Sequence, residues 1–323
     1  MSREIKKVLV IQAGSIGEFV LSLAAMKRIR LAHPHAKITL LTAPQFEALA
    51  KASPYFNSIE TNARPGSPGE WLALRGQIKG ARYDRVYDLE SSSSSRFLFQ
   101  LLRPFAPAWS GAAPGARLQH RNPDRTRMHT LERHAEQLKV AGAWPDAPTG
   151  PGDAPPPDLS WVLRRATEPR PVPGAAAPKP FVLMVPGGGE NRPEKRWPIN
   201  RYAELATQLK ARGYDIVIIG GPQESAMART IQKTVGQARD LTGRTDFAQI
   251  AVLGARAALA IGNNTGPMHL IAAAGAPTIA LFDGAADTLL SAPRGHVAVI
   301  QSATLAELPV ETVATAAWSL LPR

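Results

Sequence analysis

Seven short apolar runs separated by turns and amphipathic stretches constrain this chain more than any other feature of it. They are Val8–Gln12, Lys37–Thr42, Arg85–Leu89, Phe181–Val185, Asp215–Ile219, Ala257–Ile261 and Pro277–Leu281. Each is too short for a buried helix and reads as a buried strand. Between them, helical periodicity predicts helices at about Phe19–Leu31, Arg96–Leu102, Ile199–Arg212 and Asp246–Ala255, with a terminal helix over Glu311–Leu320. Strands alternating with helices imply parallel sheets covered by helices, an α/β fold. The serine run Ser91–Ser95 reads as a loop inside the first half, and Pro277–Leu281 reads as the run that closes the second sheet.

The alternation is interrupted once. Asp146–Pro180 is rich in Pro, Gly and Ala, which marks a linker region at 146–180 between an N-terminal α/β domain (1–160) and a C-terminal one (181–305), followed by a C-terminal helix (306–323). At 323 residues the chain is long enough for two domains.

The stretch Ile261-Gly262-Asn263-Asn264-Thr265-Gly266-Pro267-Met268-His269-Leu270 leads from a strand into a helix that Gly275 ends. The first N–H groups of such a helix lack intrahelical partners and sit at the positive end of its dipole, so an anion, and a phosphate above all, is favoured there. Gly266 allows close approach, Pro267 suits the first helical position, and Thr265 can cap the helix or bind an oxygen. From spacing alone, Asn263, Asn264 and Thr265 serve equally well as caps of an ordinary helix. Gly14-Ser15-Ile16-Gly17 does not follow the dinucleotide pattern G-x-G-x-x-G, which leaves a nicotinamide-type site unsupported.

Charge narrows the partners. The formal net charge of +12 is concentrated in residues 1–170, where 24 Lys and Arg face 15 Asp and Glu. A polyanion, whether an acidic membrane surface, a phosphorylated substrate or a nucleic acid, would meet that half. Its densest part is Arg117, Arg121, Arg125, Arg127 and Arg133, with His120, His129 and His134 among them. No nucleic-acid recognition motif accompanies the charge, so nucleic acid is not expected as a partner. The chain has no cysteine, which excludes disulfides, cysteine-ligated zinc and thiol catalysis. No apolar run reaches the length of a membrane span and no signal peptide precedes Val8, which makes cytoplasmic residence the expectation.

Polar signals recur at the strand ends of the second half: Pro186-Gly187-Gly188-Gly189 followed by Lys195-Arg196-Trp197-Pro198, then Gly220-Gly221-Pro222-Gln223-Glu224, Asp240-Leu241-Thr242-Gly243, and the stretch around Thr265. In a parallel sheet they would share one edge, an arrangement suited to a nucleotide diphosphate held by Lys195 and the helix at Pro267. Together with Ser15-Ile16-Gly17-Glu18 after the first strand, this ordered set resembles the ADP-heptose:lipopolysaccharide heptosyltransferases, glycosyltransferase family 9. The resemblance spans Val8 to about Phe282 and is weakest between Pro104 and Pro180.

The resemblance implies a GT-B fold, two Rossmann-like α/β domains facing across a cleft, with acceptor on the first and sugar nucleotide on the second. It implies metal-independent, inverting transfer of a heptose or related sugar from ADP-heptose to a phosphorylated lipopolysaccharide core or lipid A acceptor. No cofactor is implied beyond the nucleotide-sugar substrate. The chain would work at the cytoplasmic face of the inner membrane, in peripheral association with it. Glu18 maps to the catalytic base and Lys195 to stabilisation of the leaving diphosphate. Gly187, Gly188, Lys195, Glu224, Leu241, Asn264, Thr265, Gly266 and His269 map to donor contacts, Glu224 with the ribose and Leu241 against the adenine. Ser15, Arg117, Arg121, Arg125 and Arg127 are the candidates for the acceptor. Glu18 and Asn264 each stand where the family usually has Asp, and Asp283 follows Phe282 where Gly is usual. Those departures keep three alternatives in view: another nucleotide-sugar donor, a non-lipopolysaccharide acceptor, or a catalytically diminished nucleotide-sugar-binding protein. Asp88-Leu89-Glu90 has the look of a metal-binding acidic pair, but it lies at a strand end in the acceptor half with nothing to supply a phosphate-bridged cation.

Overall fold

In the computed structural model, which describes residues 4–165, 179–188 and 196–322, the chain divides after Pro157 into two compact units. Unit 1 runs β1 (Lys7–Ile11), α1 (Ile16–Ala32), β2 (Lys37–Leu41), α2 (Glu47–Ala52), β3 (Ser58–Glu60), α3 (Pro68–Ala81), β4 (Arg85–Asp88), α4 (Ser93–Leu102), β5 (Ala108–Gly111), β6 (Leu118–Gln119) and α5 (Thr130–Val140). Unit 2 opens with α6 (Val162–Arg165) and continues β7 (Phe181–Val185), α7 (Ile199–Ala211), β8 (Asp215–Ile218), α8 (Ser225–Val235), β9 (Arg239–Asp240) and α9 (Phe247–Arg256). It ends with β10 (Leu259–Asn263), α10 (Gly266–Ala273), β11 (Thr278–Asp283), α11 (Thr288–Ser291), β12 (Val297–Ser302) and α12 (Val310–Leu320).

Each unit holds a six-stranded, all-parallel sheet, ordered β3-β2-β1-β4-β5-β6 in unit 1 and β12-β11-β10-β7-β8-β9 in unit 2. β7 and β10 are buried end to end and β1 is buried after Lys7, as helices on both faces require. In both sheets the winding direction reverses between two adjacent strands, β1 and β4 in unit 1 and β7 and β10 in unit 2. The connections beyond their carboxyl ends splay to opposite faces there and open a crevice, where ligands of open α/β sheets bind. Those four strands lead into Gly14–Glu18, Leu89–Ser91, Gly187–Gly188 and Asn264–Gly266.

Three boundaries differ from the sequence reading. The second sheet does not close at Leu281: β12 pairs with β11 from Thr278↔Val297 to Asp283↔Ser302. It is a half-buried edge strand whose pattern lacks the continuous apolar character of the others. The serine run is largely helical, with Ser92 as the N-cap of α4 accepting from the N–H of Ser95. Serine supports a helix in this position and disfavours it in the interior. Helix α1 starts at Ile16, three residues before Phe19, because Ser15 and Glu18 form a capping box.

Candidate active site

The edge of unit 2 is built mostly from backbone. A Cβ at Gly262 would lie 2.6 Å from Met268 Sδ and 2.7 Å from Val185 Cβ, so only glycine lets β10 approach β7 and α10 this closely. Next to it, Asn263 is fully buried and ties four groups: its Nδ2 donates to the carbonyls of Pro186 (2.8 Å) and Gly187 (3.0 Å), and its Oδ1 accepts from Trp197 N (3.0 Å) and the Tyr202 hydroxyl (3.1 Å). Asn263 is therefore no helix cap. It fixes the buried Gly187-Gly188 loop after β7 to the end of β10. Burial pushes the Tyr202 phenol well above its ordinary pKa and keeps it a donor.

Thr265 occupies the N-cap of α10, yet its hydroxyl makes no capping bond. Its Oγ1 is buried and has no hydrogen-bond partner among the described residues. A buried hydroxyl beside the first N–H groups of a helix is a setting that favours an anion. Gly266 is the first residue of that helix, and His269 lies buried one turn in. Asn264, half-buried, is held by its backbone N–H to Leu281 O at 2.9 Å, with its side chain beyond the strand. Glu224 is buried between the two glycine loops: a Cβ at Gly187 would meet its Oε1 at 3.0 Å, and its Oε2 accepts from Gly221 N at 2.6 Å. Leu241, buried after β9, donates its N–H to Ile218 O, while Gly243 N reaches Gly220 O, so the Asp240–Gly243 turn is laced to the β8 loop. Lys195, with Gly189, lies outside the described residues.

The edge of unit 1 is built from side chains. Glu18 folds back on the turn after β1, its Oε2 accepting from Ser15 N (2.8 Å) and Ser15 Oγ (3.0 Å). A Cβ at Gly14 would collide with that oxygen. Neither bond uses Oε1, and Glu18 is exposed. Glu90 holds the same turn from the end of β4, its Oε2 accepting from Ala13 N at 3.1 Å. Arg64 clasps both, with Nη2 2.6 Å from Glu90 Oε1 and 3.0 Å from Ala13 O.

Asp88 is fully buried and accepts from Ser91 N (2.7 Å) and Ser95 Oγ (2.8 Å). Burial outweighs those bonds and raises its pKa to about 6. Both acidic side chains of the Asp88-Leu89-Glu90 triplet are thus committed to holding loops. No group of three or more His, Cys, Asp or Glu residues is placed to hold a metal ion among the described residues.

Of the four arginines proposed for the acceptor, only Arg125 turns inward. Its Nη2 is buried without a hydrogen-bond partner among the described residues, and burial, then the charge of Arg133, lowers its basicity. Arg117, Arg121 and Arg127 are exposed, Arg127 lying 3.9 Å from Asp124. Arg133 on α5, from the same basic run, also turns inward. Its guanidinium is driven down by burial and partly restored by the charge of Glu18, and its Nε is buried without a hydrogen-bond partner. His120 lies below with Nε2 3.3 Å from Glu136 Oε1. Two desolvated guanidinium groups, Arg133 acting on Arg125 and itself within reach of the charge of Glu18, make a candidate socket for an anion.

Residues 71–313 match the description glycosyltransferase family 9 (heptosyltransferase). The chain belongs to this family. It is 27% identical over 310 residues to lipopolysaccharide heptosyltransferase 2 of Escherichia coli K12, covering 90% of this chain and 86% of that protein. Among solved structures it is similar to E. coli ADP-heptose lipopolysaccharide heptosyltransferase II, with TM-score 0.76 at 23% identity over 97% of this chain and 98% of that one. It is also similar to E. coli heptosyltransferase WaaC with ADP, with TM-score 0.78 at 19% identity over 97% and 99% of the two chains. The fold is GT-B, and the protein is a glycosyltransferase.

At the two switch points of this family 9 glycosyltransferase lie the Glu18 carboxylate in unit 1 and the start of α10 with Thr265 in unit 2. The sequence reading missed Arg64, Glu90 and Arg133 as site residues. Arg133 was visible as one member of a basic run. Nothing local marks Arg64 or Glu90, because their roles come from strand order. No helix among the described residues is long and apolar enough to cross a membrane.

Proposed function

We propose that this glycosyltransferase moves a heptose from ADP-heptose to a phosphorylated lipopolysaccharide core or lipid A acceptor, without a metal and with inversion at the anomeric carbon. The observation that carries the donor side is the idle, buried Thr265 hydroxyl at the N-cap of α10, placed at the switch point of unit 2 and faced by the Gly187-Gly188 loop that Asn263 holds. The donor's diphosphate fits there, against Thr265, Gly266 and the helix end, with Lys195 and His269 completing the charge. Glu224 Oε1 offers an acceptor to ribose hydroxyls, Leu241 an apolar wall to the adenine, and Asn264 an amide to the sugar.

In the reaction the acceptor hydroxyl oxygen attacks the anomeric carbon as the bond from that carbon to the diphosphate oxygen breaks. The hydroxyl proton passes to Glu18 and ADP departs with the bonding pair. One displacement by one nucleophile inverts the anomeric configuration. Ser15, bonded to Glu18 Oε2, leaves Oε1 to take the proton. The Arg125 and Arg133 socket supports an acceptor bearing phosphate or carboxylate next to the attacking hydroxyl, with Arg117, Arg121 and Arg127 as its exposed rim.

The test is transfer from ADP-heptose, UDP-glucose and GDP-mannose to a heptose-deficient lipopolysaccharide, read by mass and by the anomeric coupling of the product. A single heptose added from ADP-heptose with inverted configuration is expected. Preference for a UDP or GDP sugar would overturn the donor assignment. ADP-heptose binding without turnover would identify a diminished enzyme.

A further inference from the structure

Helices α3 and α4 lie side by side and turn outward a face that the core of unit 1 does not use. Trp71 of α3 meets Phe97 of α4 edge to face at 5.0 Å. Beside them Leu72 is 61% exposed and Phe97 49%, and past the end of α4 Phe105 is 80% exposed. Between Phe105 and the last turn of α3 an open recess of about 360 Å³ has Ile78 and Leu102 in its wall and Lys79 and Arg82 at its rim. Arg82, Arg96 and Arg103 are exposed on the same helix pair. Against these four cations stand Glu70, which accepts from Gly66 N at 2.6 Å, and Asp84, which accepts from Lys6 N and Lys7 N at 2.9 Å each, so positive charge is in excess. The face is therefore both apolar and cationic.

That pairing decides between occupants. A second copy of the chain, related by a two-fold axis, would set these cations against themselves. An anionic lipid surface neutralises them and accepts the aromatic and leucine side chains at headgroup depth. We propose that the outer face of α3 and α4 docks the protein on an anionic phospholipid bilayer, with Leu72, Phe97 and Phe105 entering the headgroup region and Lys79, Arg82, Arg96 and Arg103 meeting lipid phosphates.

The geometry joins this face to the acceptor edge. Helices of a parallel sheet start at the carboxyl edge of the strands, so the first turn of α4 lies at the site and its last turn at the far edge. Arg96, one turn into α4, is close enough for its charge to lower the basicity of Arg125. A protein resting on α3 and α4 thus keeps its anion socket beside the bilayer, within reach of a lipid-borne acceptor. The surface rests on the proposed function only in that the acceptor is carried by lipid, and its test uses neither donor nor acceptor.

The full-length protein is to be sedimented with vesicles of phosphatidylglycerol and phosphatidylethanolamine, and with vesicles of phosphatidylcholine alone. Binding to the anionic vesicles, weakened by salt, is expected, and F97S/F105S and K79E/R82E should each lower the partition coefficient by about tenfold or more. Leu31→Ser, which removes another exposed leucine, should leave it unchanged, and all variants should keep the wild-type thermal midpoint. Equal binding to neutral vesicles, or anionic binding untouched by both double variants, would overturn the surface. So would a dimer in light scattering that F97S/F105S dissociates, since the face would then belong to a second copy. Heptose transfer to a water-soluble acceptor with no vesicle binding would sink the surface alone. Vesicle binding with no transfer from ADP-heptose would sink the donor assignment alone.

Discussion

The two sheets are wound alike and reverse at equivalent places, but their carboxyl edges are finished with different material. In unit 2 the edge is backbone, brought close by Gly262 and tied by one amide side chain, Asn263, with four bonds. In unit 1 it is a mesh of charged side chains: Arg64 and Glu90 bond to the turn after β1 at Ala13, Asp88 holds the loop after β4, and Arg125 and Arg133 bring positive charge from the segments around α5. A backbone edge suits a ligand that is the same in every turnover, such as a nucleotide diphosphate. A side-chain edge can change its specificity by single substitutions without rebuilding a loop.

The comparison breaks first at Asn263. Asn263→Leu keeps the branched heavy-atom shape but strands two carbonyls, one N–H and one hydroxyl in the core. At ~1–3 kcal/mol for each buried group left without a partner, partly relieved by relaxation, a loss of about 4 kcal/mol is expected in urea unfolding. A loss below about 1 kcal/mol would mean that the glycine loop does not depend on this residue. Glu18→Gln tests the other edge: glutamine at the third helical position keeps the capping box but cannot accept the proton. A fall of about a thousandfold in kcat, with donor Kd by calorimetry unchanged, is expected from removal of a general base. Unchanged turnover would remove Glu18 from the chemistry.

A smaller effect is expected one layer out. Glu90→Gln keeps an oxygen for Ala13 N but ends the charge pairing with Arg64, and the turn that carries Ser15 and Glu18 loosens. About tenfold in kcat with donor affinity intact would mark Glu90 as a positioning residue, since a 1 Å misplacement of a reacting group is enough for such a loss. Equal losses in stability and rate, by contrast, would make the clasp a structural tie only.

The contrast between the edges also explains what could be read from the sequence. Glycines and the Asn-Asn-Thr-Gly-Pro turn act on their immediate neighbours, so the glycine loops of unit 2 and the turn from β10 into α10 were visible as local patterns. Arg64 acts 51 residues away at Ala13, and Glu90 acts 77 residues away at the same residue. Those meetings exist only once β1 pairs with β4, which no local pattern announces. The same limit holds for the basic run, since its spacing does not reveal that the fold turns Arg125 and Arg133 inward and leaves Arg117, Arg121 and Arg127 exposed. Strand β12 escaped notice for a related reason, being an edge strand that needs no continuous apolar run.

Acid should act on unit 1 through the same mesh. Burial, then the charge of Arg133, holds His134 down to about 3, with its Nε2 bonded to Leu89 O at 2.9 Å. Burial and the charge of Arg85 hold His33 down to about 4, beside the Tyr87 hydroxyl at 2.7 Å. In the unfolded chain both titrate near 6.5, so between about 4 and 6.5 the unfolded state binds two more protons and stability falls as pH falls. Asp88 works the opposite way: raised from 3.8 to about 6, it binds a proton in the folded state first and offsets one of the two over most of that range. One net proton corresponds to a decline of ~1.4 kcal/mol per pH unit from pH 6 toward 4.5. In His134→Gln, where an amide N–H can still reach Leu89 O, one of these protons leaves the balance, and the decline in stability should become shallower by about 1.4 kcal/mol per pH unit over the same interval. A slope unchanged by the substitution would place the acid sensitivity outside this mesh.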